Sequence, residues 1–418
     1  MGWGPKSLSA NQFEGLTLGY PMAYVGRGQF PVCSGKPLID LQSSPLQTTG
    51  VHWLSRTLAA LILCHAIASA QTIGSCPVLP ANSIWNTPVD QLSVASNSET
   101  LKGTIGLGAN LHADFGSGTY QGSIIGIPFV TVSGSAAQTK YSVTFHYADQ
   151  SDPGPYAVPL NAPIEGGSDR HVIAVDTDNC ILYELYAATP GTSSWTAGSG
   201  AIYDLRSNAL RPAGWTSADA AGLPIFPGLV RFDEVSNGAI NHAIRLTVPQ
   251  TQDTYVWPAR HEASSLTGSQ YPSMGQRFRL RASFDISTYS TANQVILKAL
   301  KKYGMIVADN GTAWFISGAP NDGWNNDDLG LLRNVVGSDF EAVDDSVFTL
   351  DPNSGQARSC DLNADGTVNS ADMQLSINAA LGLSSCVAPD IDGNGICNAV
   401  DVQRVILAAL ALGCHIGP

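Results

Sequence analysis

The sequence predicts a mainly β protein: a sandwich or barrel-like main domain with one or two helices, followed by a small α-helical C-terminal module. Three observations carry that expectation. Only 13% of residues are charged, and 42 glycines and 24 prolines punctuate the chain, a composition that suits short strands joined by many turns. From residue 141 to residue 286, short alternating apolar runs follow one another between Pro-, Gly- and Asp-rich turns. Near the C-terminus a loop of oxygen-bearing residues occurs twice, each time running into an apolar helical segment.

The 418 residues suggest two or three domains. Residues 54–70 read LSRTLAALILCHAIASA: one arginine, an apolar run too short to span a bilayer, then Ala68-Ser69-Ala70, a small-residue cleavage site. Residues 51–70 are therefore expected to be a signal peptide, leaving a secreted, extracellular protein with no membrane insertion. Residues 1–50 show no sustained periodicity and read as an upstream extension or a disordered leader. The net charge of −13 disfavours nucleic acid as a partner, because phosphate backbones need a basic patch.

The main domain is expected over residues 71–345. Its strand-like runs are YSVTFHY, HVIAVD, CILYELY, GAIYDL, GAINHAIRLTV, TYVWPA and QRFRLRASFDI. TANQVILKALKKYG then places Val295, Ile296, Ala299, Leu300 and Tyr303 on one helical face, with Gly304 as the stop. MIVADNGTAWFI reads as two strands of a hairpin about Asn310–Gly311. A second helix is expected near residues 324–335, a last strand in DFEAVD, and a polar linker over residues 346–359.

The repeated loops are DLNADGTVNSAD and DIDGNGICNAVD. The first offers Asp361, Asn363, Asp365, Asn369 and Asp372; the second offers Asp390, Asp392, Asn394, Asn398 and Asp401. Thr367 and Ile396, at position seven, would give backbone carbonyls, and Gly366 and Gly395 sit at the sharp turn. Calcium takes six to eight oxygens, and this spacing wraps them round one ion in each loop, two Ca2+ in all.

These residues resemble a type I dockerin, over about residues 360–414. The resemblance rests on two loops that each lead into a helix with no entering helix, and on Asp at position twelve. It implies a cohesin-type protein partner and an extracellular enzyme mounted through the module. The partner-reading pairs would be Ser370–Ala371 and Ala399–Val400, which differ from each other and from the common Ser–Thr. Cleavage after Ala70 leaves six cysteines, an even set for disulfides. Of the 15 possible pairings the favoured one is Cys360–Cys414, clasping the module, with Cys386–Cys397 and Cys76–Cys180. The main domain resembles secreted bacterial proteins of unassigned function, which carries no catalytic residues over.

Chemistry in the main domain must be argued residue by residue. Glycoside hydrolysis uses two carboxylates, and Glu234 and Glu165, beside strand ends and turns, lead a field that includes Asp176, Asp178, Glu184, Asp204 and Asp233. In GAINHAIRLTV a period-two reading puts His242 on the apolar face with Ile240 and Ile244, and Arg245 on the other. His242 is then either a satisfied core histidine or a proton carrier in a cleft. WPARHEA gathers Trp257, Arg260, His261 and Glu262, an aromatic beside charge that suits a sugar site or an exposed loop. Trp257, Arg260 and Arg245 are the substrate-binding candidates; His261 and Glu262 join Glu234, Glu165, His242 and Asp176 as catalytic ones. Arg277, Arg279 and Arg281 share one strand face, fit either to hold an anionic sugar or to pair with neighbouring acids. The histidines show no metal-binding spacing, and there is no GxSxG elbow or Walker loop. The expected function is a secreted carbohydrate-active enzyme, a glycoside hydrolase acting on a polysaccharide. The alternatives are a polysaccharide lyase acting on uronates and a non-catalytic glycan-binding or cell-surface protein.

Overall fold

The computed structural model describes residues 71–417, so the leader and signal-peptide expectations lie outside the described residues. Ten strands build two sheets. In chain order they are β1 (His112–Asp114), β2 (Phe129–Val132), β3 (Val172–Asp176), β4 (Ile181–Tyr186), β5 (Ser199–Asp204), β6 (Ile244–Val248), β7 (Arg277–Leu280), β8 (Met305–Asn310), β9 (Phe315–Ser317) and β10 (Phe340–Val343). One sheet has the order β5-β4-β3-β2, antiparallel except for the β3–β2 pair. The other runs β10-β7-β8-β6-β9-β1, with β6 parallel to β8 and β9 parallel to β1. The chain is β-rich with few helices, as its composition predicts.

Three expected elements differ. The Asn310–Gly311 turn does not close a hairpin, because β6 lies between β8 and β9. The Gly311 N–H donates to Val248 O at 2.8 Å, so the turn closes onto β6. A strand as buried as β6 needs a partner on both edges, and β8 and β9 supply them. GAINHAIRLTV is extended only from Ile244, which removes His242 from any strand alternation. TYVWPA forms no strand; a cis peptide joins Trp257 to Pro258, and Tyr255 makes a single bridge to Met274.

The helix read from TANQVILKALKKYG is α1 (Thr291–Lys302). The Ser290 side chain caps it by accepting the Asn293 N–H at 3.1 Å, and Val295, Ile296, Ala299 and Leu300 are buried. Gly304 stops it at φ +67°, where a Cβ would lie 2.2 Å from Phe278 O. Residues 324–335 hold a short helix, Asn326–Gly330, that continues as a 3-10 turn, Leu331–Asn334. The largest core cluster joins both sheets and α1, with Phe278, Trp314 and Phe340 fully buried in it. Cys76–Cys180 is bonded, as are Cys360–Cys414 and Cys386–Cys397.

Residues 346–359, read as a linker, are laced to turns of the main domain. Ile84 N–H donates to Gly355 O at 2.8 Å, Trp257 Nε1 to Ser354 O at 2.9 Å, and Arg260 Nη1 to Pro352 O at 2.7 Å. Beyond them lie two loop–helix repeats ending in α2 (Ser370–Ala380) and α3 (Ala399–Ala409), which pack on each other.

Candidate functional site

The site grows out of one arginine. Arg245 on β6 lies beside Ser317 on β9, which pairs with Asp114 on β1; Arg245 Nη1 donates to Ser317 Oγ at 2.8 Å. On the other edge of β6, β8 slips by one residue between Leu246 and Thr247. Without that bulge Asp309 would face away from Arg245; the extra residue turns it onto the same face. Arg245 Nη2 then meets Asp309 Oδ2 at 3.0 Å. The same guanidinium grips Asp219 by two bonds, Nε to Oδ2 at 2.8 Å and Nη2 to Oδ1 at 2.7 Å, the fork geometry arginine offers a carboxylate. Because Asp219 and Asp309 share Nη2, their bonded oxygens are at most about 5.7 Å apart, the sum of the two contact lengths.

Asp309 opens onto a cavity of about 360 Å³, with the Asp219 carboxylate buried in its wall; Tyr147, Tyr186, Asp169 and His261 line it, and its residues come from both sheets. Burial pushes the Asp309 carboxyl up, to about 6, against the pull of Arg245. Burial, followed by the carboxylates of Asp169 and Asp309, also raises the Tyr186 hydroxyl. His261 is half-buried and its Nδ1–H donates to Ala220 O at 2.8 Å, which leaves Nε2 as the acceptor of the neutral ring.

Behind the cavity, charge is balanced in pairs. His171 is buried, with Nδ1 at 2.5 Å from Glu165 Oε2 and Nε2 at 3.0 Å from Ala218 O, so both ring nitrogens face acceptors. Burial lowers its affinity for a proton, but the Glu165 carboxylate outweighs burial and raises the pKa to about 9. Glu184 on β4 is fully buried and accepts the N–H groups of Ile225 (2.9 Å) and Phe226 (2.8 Å). Burial still raises it to about 7.

Of the residues read from the sequence, Arg245 and His261 belong to this site. Glu165 sits behind it, tied to His171, and Glu262 follows His261 in the chain without lining the cavity. The others are structural. His242 is fully buried, with Nδ1 at 2.7 Å from Ala243 O and Nε2 at 3.3 Å from Glu234 Oε2, a satisfied core histidine. Glu234 is buried against it and lies 3.5 Å from Arg231 Nη2. Asp176 closes the β3–β4 turn by accepting Asp178 N–H, Asn179 N–H and Asn179 Nδ2. Trp257 and Arg260 fasten residues 352–354. The arginine row pairs with neighbouring acids. Arg279 pairs with Glu341 at 3.1 Å, Arg281 with Asp339, and Arg277 faces Asp345 at 3.6 Å, all partners supplied by or flanking the adjacent β10.

Sequence reasoning missed Asp219, Asp309, Asp169, Tyr147 and Tyr186. A signal for two of them exists. Asp309 interrupts the apolar MIVA run and Arg245 interrupts IRLTV; charges set inside buried strands require each other.

In the C-terminal repeats, Asp390, Asp392 and Asp401 bring ligand oxygens within 4.8 Å of one another. Asp401 accepts the N–H groups of Ile391, Asp392 and Asn398, and Asp372 does the same for Leu362, Asn363 and Asn369. Asp361 and Asp390 each accept two N–H groups four and five residues on. The matched donor sets are all oxygen, which fits a hard cation. Arg358 lies against the second loop, with Nη1 3.4 Å from the Asp390 carboxylate.

Comparison with known proteins leaves these residues to speak for themselves: no family model matches the chain, no curated protein matches it, and no solved structure matches it.

Proposed function

We propose that this chain is a secreted carbohydrate-active enzyme, a glycoside hydrolase whose sandwich-like main domain cleaves a polysaccharide in the Arg245-centred cavity. The observation that carries the reading is the pair Asp219 and Asp309, two carboxylates sharing one guanidinium at a cavity wall. Their spacing is shorter than the roughly 6.5–9.5 Å that leaves room for a water between inverting carboxylates. Asp309, raised to about 6, carries a proton in mildly acidic solution and donates it to the glycosidic oxygen as the C–O bond breaks; water from solution then adds to the anomeric carbon and returns its proton to Asp309. Asp219, buried beneath the wall and gripped by Arg245, adds negative charge behind the carbon that develops positive charge. The Tyr147 and Tyr186 rings give a sugar face something to stack on. A uronate lyase is less well supported, because the arginine here is already engaged with Asp219, Asp309 and Ser317.

The same proposal gives residues 360–414 the role of a dockerin-like module that binds two Ca2+ through the twelve loop positions named above. Calcium would supply a rigid centre to each loop, and a cohesin-type protein would mount the enzyme on its outer face. The three disulfides suit an extracellular protein.

The test is to incubate calcium-loaded protein with a panel of polysaccharides. New reducing ends without the ultraviolet absorbance of an unsaturated uronate are expected, with a rate that falls as pH rises through about 6, where Asp309 loses its proton. Asp309→Asn should keep its fold and lose about 10²–10⁴-fold in turnover. Full activity in that variant, or unsaturated products, would remove the proposal.

A further inference from the structure

Resting on the hydrolase reading of the same cavity, we infer that its substrate is a cationic glycan, an amino-sugar polymer whose ammonium group is held by Asp169 between Tyr147 and Tyr186. The cavity wall presents the carboxylates of Asp169 and Asp309, and that of Asp219 is buried just beneath it. The one guanidinium beside them, Arg245, is taken up by Asp219, Asp309 and Ser317. Asp219 and Asp309 share that single positive charge, and the Asp169 carboxylate accepts the Ser168 hydroxyl, at 3.1 Å, and enters no ion pair among the described residues. The wall therefore holds more negative than positive charge, and the chain as a whole carries −13. Uronate carboxylates are repelled from such a cavity, whereas a protonated amine is drawn into it.

The aromatic groups favour the same ligand. Asp169, Asp309 and Tyr147 are all close enough to Tyr186 to act on its hydroxyl, so two phenol rings and two carboxylates converge on one space. Tyr147 is 46% exposed, with its ring edge-on to His146 at 4.6 Å between centroids. Ring faces beside carboxylates attract an ammonium group by quadrupole and charge together. A neutral sugar would use the rings but leave Asp169 without a charged partner.

The decisive measurement is calorimetric titration of the calcium-loaded full chain with glucosamine oligomers and with their N-acetylated counterparts. The free-amine oligomer should bind about tenfold more tightly, as a charge-assisted contact requires, and the preference should shrink as salt is added. Asp169→Asn should abolish the preference, bringing the free-amine oligomer's affinity down to that of the N-acetylated one. Equal binding of the two oligomers, or a preference that survives in Asp169→Asn, overturns the inference. Should that variant fold poorly, a salt-independent preference in the unmodified protein overturns it equally. Tight binding of the amine without cleavage supports this inference and defeats the hydrolase reading; cleavage of neutral glycans with no amine preference does the reverse.

Discussion

The C-terminal repeat and the Arg245 cavity both gather carboxylates, by opposite routes. In the repeat, Asp361, Asn363 and Asp365 stand two residues apart, and their side-chain oxygens are met by neighbouring backbone N–H groups. In the cavity, Asp219 and Asp309 come from chain segments far apart, and their charge is met by a guanidinium on a third. The repeat keeps a small core, with Cys360, Ile391 and Val405 buried, while Leu381, Leu383, Leu410 and Leu412 stay exposed. The cavity is backed by the apolar cluster that joins both sheets. A site written in local spacing can do with little tertiary support if disulfides and ions hold it. A site written across strands depends on the whole fold.

Three experiments press on that contrast. The largest effect is expected from a chelator. Removing calcium from the full chain, disulfides intact, should leave the loop acids repelling one another over a core too small to compensate. Hydrogen exchange should show protection lost in α2 and α3 while β6 and β8 keep theirs. Unchanged protection of both helices in chelator would show that the repeat is stable without metal.

Next comes the cavity's own cation. Arg245→Met leaves Asp219 and Asp309 buried without their partner and should cost about 3–5 kcal/mol in denaturant unfolding. Adding Asp219→Asn to it should recover part of that loss; a single variant as stable as the parent would mean that Arg245 does not hold the two carboxylates together.

The smallest effect separates a core histidine from a catalytic one. His242→Gln disturbs the bonds to Ala243 O and Glu234 and should cost roughly 1–3 kcal/mol of stability. Turnover of the folded variant should match the parent. A fall in turnover with no fall in melting temperature would return His242 to the mechanism.

Where the sequence was readable, the signal was short in range. α1 showed itself through its apolar face, the Ser290 cap and Gly304, all within one segment. The repeated oxygen-bearing residues of the two C-terminal loops were legible for the same reason. Misreadings came where strands chose distant partners: the expected β8–β9 hairpin was opened by β6, and the arginine row found its acids on and beside β10. His261 was legible as one member of a charged cluster, but nothing local distinguished it from Glu262, which does not line this cavity.

By itself the sequence determined that the chain would be β-rich, where α1 begins and ends, and which oxygen-bearing side chains each C-terminal loop carries, because each of these depends on residues within about a dozen positions of one another. Only the tertiary structure decided which carboxylates share a site. A one-residue bulge in β8 aims Asp309 at Arg245, and the segment from Thr216 to Gly222 delivers Asp219 to the same guanidinium. Register and the meeting of distant segments are set by how the whole core packs, and a buried charge is stable only where that packing brings it an opposite one.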